Sequence, residues 1–166
     1  MNRRLILWRH AKSSYPPYLP DIDRPLGDRG IRDACELRRV IRHTTSGLRT
    51  RVLMSPSRRT LETWAWAGSD LEPCETEIRS ELYLADRWML LSQIRLESEN
   101  TEALVVLAHD PGLHELVMEL SGDSSVADPV RSKFPTNAYA VFAVTSPWSE
   151  FERGIDLKEV LIARGQ

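Results

Sequence analysis

The sequence predicts a three-layer α/β/α sandwich with a mainly parallel central sheet. Three observations carry this. Apolar runs too short for helices recur along the chain, and one of them, residues 103–108, is apolar throughout, as a strand buried on both faces must be. Helical apolar spacing or a helix-start signal follows most of these runs. The resulting order, βα–βα–(β)α–βα–ββ, is the alternation that builds parallel sheets through crossover helices. With 166 residues, 42% hydrophobic and 28% charged, the chain reads as one domain over 1–166 with material for one real core. That composition excludes a disordered or collagen-like chain.

The elements follow in order. Residues 5–8 read as a short buried strand, and residues 13–21, with three prolines, must be loop. Ile31, Ala34, Cys35, Leu37 and Ile41 recur at helical spacing and predict a helix over 27–43, with Cys35 as a small buried hydrophobe. Residues 52–54 form a second strand. Ser55-Pro56 then reads as N-cap and first helical residue, and Gly68 as the stop. Trp64 and Trp66 lie two apart on this helix and cannot share a face. Residues 74–82 are extended, Asp86 caps a helix to about 96, and 103–108 is the strongest strand. Asp110-Pro111 repeats the cap-proline signal for a helix to about 120. After a loop over 122–135, strands at 138–144 and 158–163 close the chain around a turn at 147–154.

Composition narrows the function. The formal charge of −2 implies no general attraction to nucleic acid or acidic membranes. Lys12, Lys133 and Lys158 are the only lysines, so 19 of the 22 basic residues are arginine, whose planar fork suits phosphate. The first apolar run ends at Arg9, too early for a signal peptide or a membrane span. The two cysteines, without CxxC spacing, suit a reducing compartment. A cytoplasmic protein is expected.

Ligands of open α/β sheets bind beyond the carboxyl ends of the strands. Three polar clusters fall there: Arg9-His10 after the first strand, Ser55-Pro56-Ser57-Arg58-Arg59 after the second, and His109-Asp110 after the strongest. Two of them open onto predicted helix N-termini, which favour anions. No carboxylate cluster of metal-ligand spacing accompanies the histidines, so no metal and no cofactor are expected. The pocket suits an anion of high charge density, with phosphate the first expectation.

These blocks, Leu7-Trp8-Arg9-His10-Ala11-Lys12-Ser13, Asp23-Arg24-Pro25-Leu26 with Gly30, Ser55-Pro56-Ser57-Arg58-Arg59-Thr60 with Thr63, His109-Asp110-Pro111-Gly112 and Phe134-Pro135-Thr136, resemble in order the histidine phosphatase (phosphoglycerate mutase-like) superfamily. The resemblance is closest to its SixA-type branch, the phosphohistidine phosphatases. It implies a phosphoglycerate mutase-like fold and a metal-independent phosphatase with a phosphohistidine intermediate. By this resemblance His10 is the nucleophile, Arg9 and Arg59 hold the phosphoryl oxygens, and a protonated His109 adds a third contact. Ala11 where many relatives have Gly, Thr60 for a usual Ala and Gly27 for a usual cap are departures that touch rate and helix fraying more than identity. Arg24, Lys12 and Asn137 are candidate substrate-binding residues. Glu81 is the nearest candidate general acid. A leaving imidazole needs less protonation than an alkoxide, because its conjugate acid has a pKa of about 6.5. The lack of a convincing acid therefore favours N-phosphorylated or otherwise activated substrates, with protein phosphohistidine the leading one. A general small-molecule phosphomonoesterase and a catalytically idle phosphate- or phosphoprotein-binding module remain the alternatives. His43 and His114, inside helix patterns, serve as controls, Arg58 as a solvated neighbour and Asp110 as a cap.

Overall fold

A computed structural model describes residues 3–152 and 154–165. Among the described residues, β1 (Arg3–Arg9), β2 (Thr50–Met54), β3 (Cys74–Ile78), β4 (Ala103–Ala108), β5 (Ala138–Val144) and β6 (Ile155–Ile162) form one sheet in the order β3-β2-β4-β1-β5-β6. The pairs β1/β4, β2/β4 and β2/β3 are parallel, whereas β5 runs antiparallel to both β1 and β6. The sheet is thus mostly parallel, with β5 alone reversed. The helices are α1 (Asp28–Thr45), α2 (Arg58–Ala67), α3 (Arg87–Arg95) and α4 (Gly112–Ser121).

Strand alternation divides the core into two layers. Leu5 and Leu7 of β1 pack with Leu104 and Val106 of β4 and with Leu90, Leu91, Leu113 and Leu116 of α3 and α4. Ile6 and Trp8 point the other way, packing with Val105 and Leu107 and with Leu37, Ile41 and Trp64 of α1 and α2. β4, central and buried throughout, serves both layers. The α/β/α sandwich expected from the sequence is the observed one. Trp64 is buried and Trp66 exposed, as two positions 200° apart on a helix require.

Several expectations need correction. α2 begins two residues later than the Ser55-Pro56 signal suggests, at Arg58 with Ser57 as its N-cap. The Ser55 hydroxyl accepts the Ser57 N–H at 3.3 Å and is also the partner of His109. α4 begins at Gly112 with Pro111 at the cap position, so Asp110 is not a cap; its carboxylate pairs with Arg9 at 2.9 Å. Cys35 is exposed, because the buried face of α1 runs through Gly30, Ala34, Leu37 and Ile41 and takes in Asp33 instead. The last strand starts earlier, at Ile155, and the loop over 122–135 contains a short 3-10 helix, Ser125–Val130.

Register sets the functional edge. Trp8 and Met54 both lie opposite Leu107, and Arg9 lies opposite Ala108. The next residues, His10, Ser55 and His109, therefore emerge side by side at the carboxyl edge of the parallel strands. Reversed β5 begins at this same edge, and the Asn137 N–H donates to the carbonyls of Arg9 (3.2 Å) and His10 (3.0 Å). α1 closes against the turn after β1. A Cβ on Gly30 would stand 2.0 Å from the Lys12 carbonyl oxygen, so only glycine permits this approach. No described helix is long and apolar enough to cross a membrane.

Candidate active site

The carboxyl edge opens into a cleft of about 210 Å³ lined by Arg9, His10, Arg24, Arg59 and His109. His10 is nearly buried and its ring is held by its own turn. Nδ1 lies 2.8 Å from the Ala11 carbonyl, which can only accept, so Nδ1 carries the proton. Nε2 is then the free lone pair, and it accepts from Arg59 Nε at 3.3 Å. Burial is the chief cause that holds this imidazole well below the ordinary histidine value; the Ala11 carbonyl opposes it, and His109, Arg59 and Arg9 reinforce it. His10 is neutral near pH 7.

Arg59 sits in the first turn of α2 with 2% of its surface exposed. Besides His10, its guanidinium donates to His109 Nδ1 (3.3 Å), the Asp21 carbonyl (2.7 Å) and Asp21 Oδ2 (3.0 Å). Thr63, one turn on, donates to the Arg59 carbonyl (2.6 Å) and accepts the Ala11 N–H (3.0 Å), which locks α2 to the turn bearing His10. The ring centroids of His10 and His109 lie 5.1 Å apart.

Because Arg59 can only donate, His109 Nδ1 accepts, and Nε2–H donates to Ser55 Oγ at 2.7 Å. Burial first, and Arg59 second, push the His109 pKa down to about 3. The expectation of a protonated His109 is therefore corrected: both nitrogens are used by a neutral ring. Arg9 donates to the Phe134 carbonyl (2.6 Å) and pairs with Asp110. Burial raises the Asp110 pKa, against the pull of Arg9. Asp21 is the opposite case. The Tyr83 hydroxyl, which donates to its Oδ2 at 2.6 Å, together with Arg59 and Arg24 brings it to about 2, so it is ionised.

No protein-family model matches the chain. An uncharacterized protein of Mycobacterium tuberculosis is 34% identical over 150 residues, 88% of this chain and 92% of that protein. Among solved structures, the SixA-type protein of Nakamurella multipartitia superposes with a TM-score of 0.85 at 24% identity, over 98% of this chain and 97% of that one. The protein histidine phosphatase SixA complexed with tungstate gives 0.76 at 21% identity, covering 96% of each chain. The chain belongs to one family with the mycobacterial protein and has the SixA-type histidine phosphatase fold.

Within this fold the sequence-derived residues divide. Arg9, His10, Lys12, Arg24, Arg59 and His109 come together around the cleft. Asn137 does not join them. It is wholly buried, its Oδ1 accepts from Trp8 Nε1 (3.1 Å), and its Nδ2 donates to the carbonyls of Asp33 (2.7 Å) and Ala163 (3.3 Å). Its polar atoms are spent on joining β1, α1 and the chain end, so it is no substrate ligand. Glu81 also lies outside the cleft lining, exposed on a 3-10 turn and bonded by the Ser80 hydroxyl. The general-acid expectation at Glu81 is corrected on that ground. His43 is exposed, and His114 Nε2 faces the Val130 carbonyl at 3.0 Å, away from the cleft. Arg58 pairs with Glu62 on the surface of α2.

Sequence reasoning missed Asp21 and Tyr83, and it placed Ser55 at the right strand end but as a helix cap, not as the partner of His109. Asp21 and Tyr83 lie in segments with no periodicity, and their meeting over Arg59 depends on tertiary structure. Among the described residues no group of three or more His, Cys, Asp or Glu could hold a metal ion. A larger hollow of about 340 Å³ lies at the amino edge of the sheet, by Thr50, Cys74 and Thr101, and holds no histidine. Ligands of open α/β sheets as a rule bind at the opposite, carboxyl edge.

Proposed function

We propose that the protein is a phosphatase acting on protein phosphohistidine through a covalent phosphohistidine at His10. One observation carries the reading: the Ala11 carbonyl fixes the His10 proton on Nδ1, and its Nε2 lone pair faces the buried Arg59 guanidinium. A neutral, oriented imidazole beside fixed cations is what nucleophilic attack on phosphorus requires. A similarly folded SixA is complexed with tungstate, a phosphate-shaped oxyanion, which supports an oxyanion of this kind as the ligand.

In the proposed reaction Arg59 gives up its bond to His10 and, with Arg9, takes the phosphoryl oxygens, where charge accumulates. His10 Nε2 forms a bond to phosphorus as the bond to the leaving nitrogen breaks. The leaving ring, protonated from solvent on its other nitrogen, departs as neutral imidazole. Water then attacks the phosphorus, releasing phosphate and restoring His10. A dianion between Arg59 and His109 opposes the effects that keep His109 neutral and lets it donate. Asp110 positions Arg9, and Asp21 positions Arg59 until the substrate displaces it.

The test is brief exposure to a radiolabelled activated phosphate such as phosphoramidate. Label is expected on the protein, stable to alkali and lost in acid, because protonation turns a phosphoimidazole nitrogen into a good leaving group. His10→Ala should abolish labelling and turnover together. Turnover on a phosphohistidine protein should survive excess EDTA. Near-normal turnover of His10→Ala on a phosphohistidine protein, an aryl phosphate and sugar phosphates would exclude the covalent route.

A further inference from the structure

Every arginine that lines the cleft has a carboxylate partner at rest. Arg9 pairs with Asp110 at 2.9 Å, while Asp21 serves two arginines. Its Oδ1 accepts from Arg24 Nε (3.0 Å) and its Oδ2 from Arg59 Nη2 (3.0 Å). The Asp21 carbonyl takes Arg59 Nη1 as well (2.7 Å). With Nε on His10, the Arg59 guanidinium has a partner on each of its three nitrogens before any ligand arrives.

The two carboxylates differ in freedom. The Asp110 side chain is 19% exposed and that of Asp21 48%. Asp21 lies on a single 3-10 turn, Asp21–Asp23, and its carboxylate has water on one side. A change of rotamer there releases Arg59 and Arg24 together. Tyr83, from the segment before α3, opposes that change. Its hydroxyl donates to Asp21 Oδ2 at 2.6 Å, and its ring meets the His109 ring edge-on at 5.6 Å.

A buried guanidinium left without an anion is costly. Asp21 meets that need in the empty site, but a phosphoryl group needs the same donors. Two anions on one guanidinium repel each other, so one must leave.

We propose that the Asp21 carboxylate is an internal competitor for the oxyanion: it occupies the Arg59 and Arg24 donors at rest, gives way when a phosphoryl group enters, and returns to expel inorganic phosphate. This rests on the phosphoryl-cleft reading above and adds the residue that sets how tightly that cleft holds its product. A protein whose binding-competent form is only a fraction of the whole binds its ligand more weakly by that fraction. The weakening applies equally to substrate, transition state and product. It therefore relieves product inhibition without removing any interaction made only in the transition state.

The full-length protein is titrated calorimetrically with inorganic phosphate, alongside Asp21→Asn, Asp21→Ala and, as a control for charge alone, Asp23→Asn. Asp23 is exposed two residues further along the same turn. Both Asp21 variants are expected to bind phosphate about tenfold more tightly, and Asp23→Asn within about twofold of the unchanged protein. Adding Arg59→Ala to Asp21→Asn should abolish the gain. Loss of a merely structural support would not raise affinity. Unchanged or weaker binding in Asp21→Asn or Asp21→Ala refutes the competitor and leaves the phosphoryl cleft standing, with Asp21 only a support for Arg59. An equal gain in Asp23→Asn, or a gain that survives Arg59→Ala, would place the effect in the general field or at another anion site and also refutes it. Absence of phosphate binding in the unchanged protein and in every variant would overturn the cleft reading, and the competitor with it.

Discussion

Arg58 and Arg59 are chemically identical neighbours, and one residue of helix rotation separates their fates. A turn of about 100° carries Arg59 inward to His10, His109 and Asp21, while Arg58 lies outside with more than half of its side chain exposed, in an i,i+4 pair with Glu62. An exposed pair of that kind contributes little. A guanidinium fixed in advance where charge develops contributes far more. Arg59→Ala is expected to lower kcat on an aryl phosphate by on the order of 10²–10³, and Arg58→Ala by less than about threefold. Equal losses would mean that the inward register of α2 is not the one that matters. Ser55 makes the same point on a smaller scale: a hydroxyl that local rules assign to a helix cap accepts the Ser57 N–H and also serves His109.

At the scale of elements, the start of β5 fixes the functional edge. Asn137 stands there with φ of +62°, which Asn tolerates better than most residues, and its side chain satisfies the Trp8 indole N–H and two carbonyls. Asn137→Ala would leave buried polar groups unpaired on three segments and strain the backbone. A loss of about 2–4 kcal/mol in urea unfolding is expected. In the same variant, turnover per folded molecule should fall by less than about tenfold, since the residue does not reach the cleft. Strands and their succession along the chain were legible in the sequence because burial on two faces leaves unbroken apolar runs, as in β4; their order within the sheet was not. Also legible were Arg9, His10, Arg59 and His109, which follow strand ends or open a helix. Helix starts were read less well at Ser55, which lies two residues before the cap of α2, and at Asp110, whose carboxylate pairs with Arg9. Cys35 was misplaced because one step on a helix moves a residue off the buried face. Asn137, Glu81 and Asp21 were illegible for a common reason: loop geometry, which carries no period, decides whether such a side chain meets the cleft or the core.

The molecule as a whole gathers arginines at one edge of its sheet and buries two neutral histidines among them. That arrangement sets the pH dependence of folding. An unfolded histidine titrates near 6.5, but His109 is pushed down to about 3 and His10 is also held well below 6.5, each chiefly by burial. Between these values the unfolded chain binds more protons than the native one, so stability rises with pH and falls as the solution is acidified from about 6.5 toward 3. His109 contributes up to about 1.4 kcal/mol per pH unit in that window, and His10 acts in the same direction. Asp21, lowered to about 2 by Tyr83, Arg59 and Arg24, adds a loss of the same sign below 3.8, while Asp110, raised by burial, opposes it just above 3.8. Urea midpoints at constant ionic strength should therefore drop steeply between pH 6.5 and 4.5. His109→Gln should flatten that slope, since glutamine keeps a hydrogen-bonding side chain opposite Ser55 and Arg59 but takes up no proton. An undiminished slope in His109→Gln would show that this imidazole is not held neutral by the fold, and the source of acid lability would then lie outside the histidine pair.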